Sequence, residues 1–193
     1  MEEPGRPDET LEERERAQIA RFSQYVLSRD AWFRIADELE DAMKLLEPQI
    51  ERFWNYFRAE TGVIEKKDNE PPPKYSLINV HMMLAGFVIE NLCKGYLAGR
   101  LSPKLQEKVK AGKLPRGLKN HDIPKLVLCT GMTFCDQEKD LLDRIGETVI
   151  WRGRYPSPSH RDKITPFAQW GNDIERLKML LLRLRAHVGA KNS

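Results

Sequence analysis

Arg154 and His160 are the residues of this chain whose types and spacing best suit chemistry. Five residues separate them in the run Trp151-Arg-Gly-Arg-Tyr-Pro-Ser-Pro-Ser-His160. An arginine offers a planar, permanently charged fork that holds a phosphate, and an imidazole takes and returns a proton near neutral pH. Together they form a minimal metal-free site for cutting RNA. A ribose 2′-hydroxyl would attack the adjacent phosphate, with His160 as general base or acid and Arg154 neutralising charge on the phosphorane. The same residues suit a structural clasp equally well. Trp151 would close the end of the core with Tyr155 stacked on it, Arg154 would pair with Glu90 or cap helix carbonyls, and His160 would stand exposed before the last helix. Six residue steps span up to about 20 Å when extended, and Pro156 and Pro158 favour extension. The loop must therefore fold back, or the pair must meet across a dimer axis.

Two further constellations bear on that segment. Glu90 and Lys94 are four apart with the acid first, the favourable order for a helical ion pair. They interrupt the most apolar stretch of the chain, so each calls for a partner. Lys94 could face the Arg154 loop while Glu90 orients Arg154, or the two could form an ordinary pair at the bundle edge. His121 and Asp122 read as cap residues of a helix, or as residues lining the same cleft. No metal or cofactor is expected. Cys129 and Cys135 lack the recurring close pairs of a zinc site, and the chain has no Gly-rich phosphate loop, no Gly-x-Ser-x-Gly and no carboxylate cluster suited to magnesium.

Helices must position these residues, because no stretch alternates with period two. Phe167, Trp170, Ile174, Leu177, Leu181, Leu184 and Val188 step by three and four, which predicts a final helix with one apolar stripe. Thr165 would cap it, Pro166 would take its first position, and Arg176, Lys178, Arg183 and Arg185 would be solvated. After Asp30, a candidate N-cap, Trp32, Ile35, Leu39, Ala42, Leu46, Ile50, Phe53 and Phe57 keep helical spacing. Pro48 inside that run predicts a kink or two helices. Leu11 to Leu27 reads as another helix, and Asp68-Asn-Glu-Pro-Pro-Pro73 as a break between helices. Tyr75 to Ala98 is apolar on nearly every side and belongs in the middle of a bundle. Arg100 to Asn120 is a basic connection with room for a short helix. A helix opens near His121, and another starts at Thr133-Phe-Cys-Asp136, which has capping-box spacing, and runs to about Trp151.

The 193 residues fit one domain: an acidic disordered tail over 1–9, N-terminal helices and a Pro-rich linker over 10–73, a core over 74–188 packed with 10–60, and a short disordered tail over 189–193. Hydrophobic residues make up 40% and charged residues 32%, enough for a core and a soluble surface. The longest uncharged apolar run, Met82 to Ile89, falls far short of the roughly 20 residues that span a bilayer. The acidic N-terminus is no secretory signal, and three cysteines read as buried free thiols, so a cytoplasmic location is expected. Net charge is +3 but unevenly placed: Arg100 to Lys125 carries eight Lys or Arg against two acids, and Trp151 to Lys163 four against one. Such segments attract phosphate or are simply solvated loops.

His81-Met-Met-Leu-Ala-Gly-Phe-Val-Ile-Glu-Asn-Leu-Cys-Lys-Gly-Tyr-Leu97 resembles the second core helix of HEPN domains, where an apolar helix carries a polar residue and then a lysine. Asn120-His-Asp-Ile-Pro-Lys-Leu126 resembles the opening of the next HEPN helix. The Arg-x5-His of Arg154 and His160 is similar to the HEPN signature at the start of the last core helix. The likeness covers roughly Tyr75 to Val188. It implies an antiparallel bundle of four to five core helices with an N-terminal helical extension, often a homodimer. It also implies metal-independent ribonuclease chemistry of the toxin–antitoxin or defence kind, with an antitoxin as a protein partner, or else a non-catalytic module that binds RNA, a nucleotide or a protein. Arg154 and His160 would be the catalytic pair, and Glu90, Lys94, His121, Arg152 and Tyr155 would bind substrate or support that pair. Where the active families place a small polar residue after the arginine, this chain has Tyr155.

Overall fold

Capping fixes where the first helices begin. Thr10 accepts from the Glu13 amide at 3.3 Å while Glu13 accepts from the Thr10 amide at 2.9 Å, a reciprocal box that starts α1, Leu11–Leu27. Ser28 leaves α1 in an extended conformation and caps α2, Arg29–Lys44, by accepting from the Ala31 amide at 3.1 Å. Asp30, expected as that cap, lies instead in the first turn, where its charge meets the positive end of the helix dipole. Pro48 resolves the long apolar run into two helices, since it occupies the first turn of α3, Glu47–Glu60, where no amide donor is needed. The protein is described here by a computed structural model covering residues 10–65, 71–152 and 172–190, with Trp151 and Arg152 described in their backbone only.

Leu77 adopts a left-handed backbone conformation (φ 55°) ahead of α4, Ile78–Ala98, so that helix starts three residues later than expected. Thirteen of its twenty-one residues are buried, which makes it the axis of the fold. The basic connection holds α5, Pro103–Lys110, and a 3₁₀ turn, Arg116–Lys119. Asp122 caps α6, Ile123–Leu128, through the Lys125 amide at 3.1 Å. The helix expected from Thr133 is α7, Asp136–Glu147. Its capping box joins Cys135 and Glu138 rather than Thr133 and Asp136, because Glu138 has the side-chain length to reach back to the Cys135 amide at 3.0 Å. A π-helical turn, Thr148–Arg152, follows. Asn172 precedes α8, Asp173–Gly189; Thr165, Pro166, Phe167 and Trp170, where its start was expected, lie outside the described residues.

The described residues contain no strand, and the fold is an all-α bundle. Around α4 pack α2, α6, α7, α8 and the π turn. Met82, Ile89 and Leu92 of α4 meet Met43, Ile50, Leu126, Ile145, Leu177 and Leu181 in one core. Each such fully buried aliphatic contributes about 1.5–3 kcal/mol. A smaller cluster, Val26, Ala98, Val109 and Leu118, joins α1 to α5 and the 3₁₀ turn. Two glycines allow the closest approaches to α4. A Cβ on Gly86 would overlap the Val149 Cγ2 of the π turn, and one on Gly95 would fall 2.8 Å from the Phe33 ring of α2.

The cations of α8 are not simply solvated, as their position off the apolar stripe suggested. Arg185 reaches Asp37 at 2.8 Å and Glu40 at 2.8 Å, Lys178 reaches Glu47 at 3.0 Å, and Arg183 pairs with Glu138. Acids on α2, α3 and α7 thus tie down the flanks of α8. Of the three free cysteines only Cys93 is buried, and burial pushes its thiol far above the ordinary range; Cys129 and Cys135 are exposed, contrary to expectation.

Candidate functional site

Glu90 and Lys94 stand one turn apart on α4, on the stretch bracketed by Gly86 and Gly95. Lys94 Nζ donates to Glu90 Oε1 at 2.7 Å, and His121 Nδ1 lies 2.9 Å from the same oxygen. Glu90 and Lys94 are 8% and 3% exposed, so they form a buried pair rather than one at the bundle edge. Withdrawing two such ions from water costs several kcal/mol each, and only close pairing with further hydrogen bonds offsets it. The pairing is incomplete: Glu90 Oε2 is buried and has no hydrogen-bond partner among the described residues. A buried acceptor left unsatisfied costs about 1–3 kcal/mol, and an ionised one more.

His121 is not a cap residue; that role belongs to Asp122 alone. Asn120 Oδ1 accepts from the Asp122 amide at 3.1 Å and shapes the turn that presents His121 to Glu90. The His121 side chain is 70% exposed, so the imidazole roofs the buried carboxylate while remaining open to solvent. Facing an ionised carboxylate, Nδ1 is the ring nitrogen that donates.

Trp32 completes the wall. Its ring lies 5.9 Å from Lys94 Nζ, at the outer range of a cation–π contact, and its indole N–H donates to the Val26 carbonyl at 3.0 Å. Sequence periodicity marks Trp32 only as a core residue. Nothing local signals its pairing with Lys94, because α2 and α4 meet only in the tertiary fold.

The π turn packs against α4. Val149 packs at Gly86, one helical turn from Glu90, and a Cβ on Gly146 would lie 3.4 Å from Pro124 Cδ, three residues after His121. The C-terminal end of α7 and the π turn therefore touch both α4 and the start of α6. Thr148, wholly buried, donates back to the Arg144 carbonyl at 2.8 Å. Isolated π turns recur at functional sites. Arg154 is five residues from Val149, a tether of at most about 17 Å when extended. Arg154, Tyr155 and His160, and the Arg152 side chain, lie outside the described residues. Of the residues singled out from sequence, the structure brings Glu90, Lys94 and His121 together.

Two other polar centres are structural. Arg144 grips Asp173 with both guanidinium nitrogens and reaches Asp140 at 3.0 Å, tying α7 to the start of α8. His187 stacks on Tyr96 with ring centroids 5.9 Å apart, and its Nε2 lies 2.8 Å from the Thr130 carbonyl. Among the described residues no group of three or more His, Cys, Asp or Glu could hold a metal ion, and no helix is long and apolar enough to cross a membrane. Comparison of the chain with protein-family models, curated proteins and solved structures returns no match.

Proposed function

We propose that this chain is a HEPN-like, metal-independent RNA-binding protein that cleaves RNA through Arg154 and His160. The supporting observation is the convergence of Glu90, Lys94 and His121, named from sequence as the companions of that pair, on one cluster along α4, one helical turn from Gly86. In this reading Arg154 binds the scissile phosphate and neutralises charge as the phosphorane forms, and His160 transfers a proton. The 2′-hydroxyl is the nucleophile, so the products carry 2′,3′-cyclic phosphate and 5′-hydroxyl ends. A cytoplasmic homodimer, held in check by a protein antitoxin, belongs to the same reading; sedimentation equilibrium showing only a 22.4 kDa species at micromolar concentration would count against the dimer.

His160→Ala should slow cleavage by roughly 10²- to 10⁴-fold, the usual scale for losing a general acid or base. Arg154→Ala should be comparably damaging, and Arg154→Lys should restore little because lysine lacks the fork. Both variants must melt near the wild-type temperature.

One observation favours a second reading, a helical module that binds a partner without cutting it. An open, largely apolar groove of about 470 Å³ runs between α6 and α7, with Pro124, Leu128, Met132, Phe134 and Leu142 on its walls. Leu128 is 66% exposed. RNA that is bound but never cut, with binding weakened by Arg154→Ala and untouched by His160→Ala, would establish this reading over the first.

A further inference from the structure

Lys44, Lys139, Lys178, Arg183 and Arg185 each face a carboxylate, but one stretch of the described surface carries cations without acids. Arg100 to Lys125 holds eight Lys or Arg against two acids, and one lysine occupies each acid: Lys110 reaches Glu107 at 2.8 Å and Lys125 reaches Asp122 at 2.6 Å. Lys104, Lys108, Lys113, Arg116 and Lys119 are exposed and have no ion-pair partner among the described residues. We propose that the outer face of α5 and the 3₁₀ turn is the surface on which this protein holds the phosphate backbone of RNA.

Local folding gathers these cations. Lys104 and Lys108 are one turn apart and so are neighbours on the α5 surface. Gly112, left-handed at φ 75°, ends α5, and the Lys113 amide turns back to donate to the Lys108 carbonyl at 2.9 Å. Arg116 and Lys119 are three apart on the 3₁₀ turn, where side chains at that spacing eclipse. Val109 of α5 and Leu118 of the turn are buried in one small cluster, so both groups of cations stand on the outside of the same core. Like charges held this close repel one another, and a polyanion supplies the missing counter-charge.

The make-up of the face selects the partner. No large apolar side chain from Arg100 to Val127 is exposed. A helix that lies on a membrane inserts an apolar face as well as presenting cations, whereas α5 buries its apolar side against α1. Protein interfaces are rich in aromatics and Arg and poor in Lys, whereas four of these five cations are Lys. Point charges with no aromatic platform among them contact phosphates and not bases. The face therefore positions RNA without reading its sequence. The inference rests on the RNA-binding part of the proposed function and is independent of cleavage.

The test is fluorescence anisotropy of a labelled single-stranded 2′-O-methyl RNA, which has no 2′-hydroxyl to attack, titrated with the protein at several salt concentrations. Wild type should bind unrelated sequences alike, and log K should fall against log salt with a slope of about −3.5, or about 0.7 per phosphate contacted. Lys104→Gln/Lys108→Gln should reduce that slope by about 1.4 and weaken binding roughly tenfold at about 0.1 M salt. Lys44→Gln/Lys139→Gln changes the net charge equally but removes lysines that are paired elsewhere, and it should weaken binding by less than about threefold. All four side chains are exposed, so both variants should melt near the wild-type temperature. Equal weakening by the two double variants, or a slope unchanged in Lys104→Gln/Lys108→Gln, would overturn the inference and leave RNA binding to another face. No binding of RNA by wild type, with or without binding to anionic phospholipid vesicles, would overturn both the inference and the proposed function. Unmodified RNA that is held at this face but never cut would support the inference and remove cleavage from the proposed function.

Discussion

Helix α4 buries ionisable side chains at two places and treats them in opposite ways. Near its start His81 is 1% exposed, and its Nε2 has no hydrogen-bond partner among the described residues. Ile50, Trp54, Ile78, Met82 and Ile174 surround it together with the Asp173 carboxylate. Burial drives its pKa below the ordinary 6.5; Glu47 on α3 opposes the shift and Lys178 on α8 adds to it. Nine residues further on, Glu90 and Lys94 are just as deep but share a 2.7 Å bond and a third partner in His121. An apolar bundle thus keeps a lone imidazole neutral, whereas it retains full charges where acid and base arrive together. Only the second place has an exposed imidazole bonded to it, that of His121.

The comparison breaks most visibly when half of the charged pair is removed. Lys94→Met should destabilise the fold by about 3–5 kcal/mol, because it leaves a buried carboxylate facing only an imidazole. Glu90→Leu/Lys94→Met should sit within about 1 kcal/mol of wild type or above it, since removing both partners leaves no charge uncompensated. Urea midpoints at pH 7 give both numbers. If the single and double variants fell equally, packing rather than charge would govern that part of the helix.

Gly86→Ala should cost about 1–3 kcal/mol. The new methyl must displace Val149, which is stiff and 2% exposed, and so push the π turn away from the site. Unfolding should report the stability loss, and RNA cleavage should fall with it. Unchanged stability would mean that the turn does not press on α4.

His81 sharpens the contrast through pH. Its pKa is lower folded than unfolded, so the unfolded chain binds more protons between the two values. Stability should be complete above pH 6.5 and decline as pH falls through the window below it, by at most about 1.4 kcal/mol per unit for one proton. His81→Leu should flatten that slope specifically. A slope that survives the substitution would assign the titration to another group.

Much of the bundle is legible in the sequence because helices announce themselves locally. Apolar spacing marks α1, α2 and α4, and Pro48 divides α2 from α3 by its missing amide. Cap choice is less legible, since Ser28, Asp30, Thr133 and Cys135 all stand near a helix start and the turn geometry decides between them. The roles of the α8 cations depend on which acids of α2, α3 and α7 face them, and spacing along α8 does not carry that information. The site divides the same way. Glu90 and Lys94 reveal themselves as charges on an apolar helix, four apart. The bond from His121 to Glu90 spans two elements, and neither it nor the approach of Trp32 to Lys94 has a local signal.

The most direct test of the account is incubation of the purified wild-type chain with single-stranded RNA in EDTA, followed by analysis of the new ends. The account predicts cleavage with 2′,3′-cyclic phosphate and 5′-hydroxyl termini and no dependence on added metal. Intact RNA across varied sequences, or cleavage that needs magnesium and leaves 5′-phosphates, would contradict it.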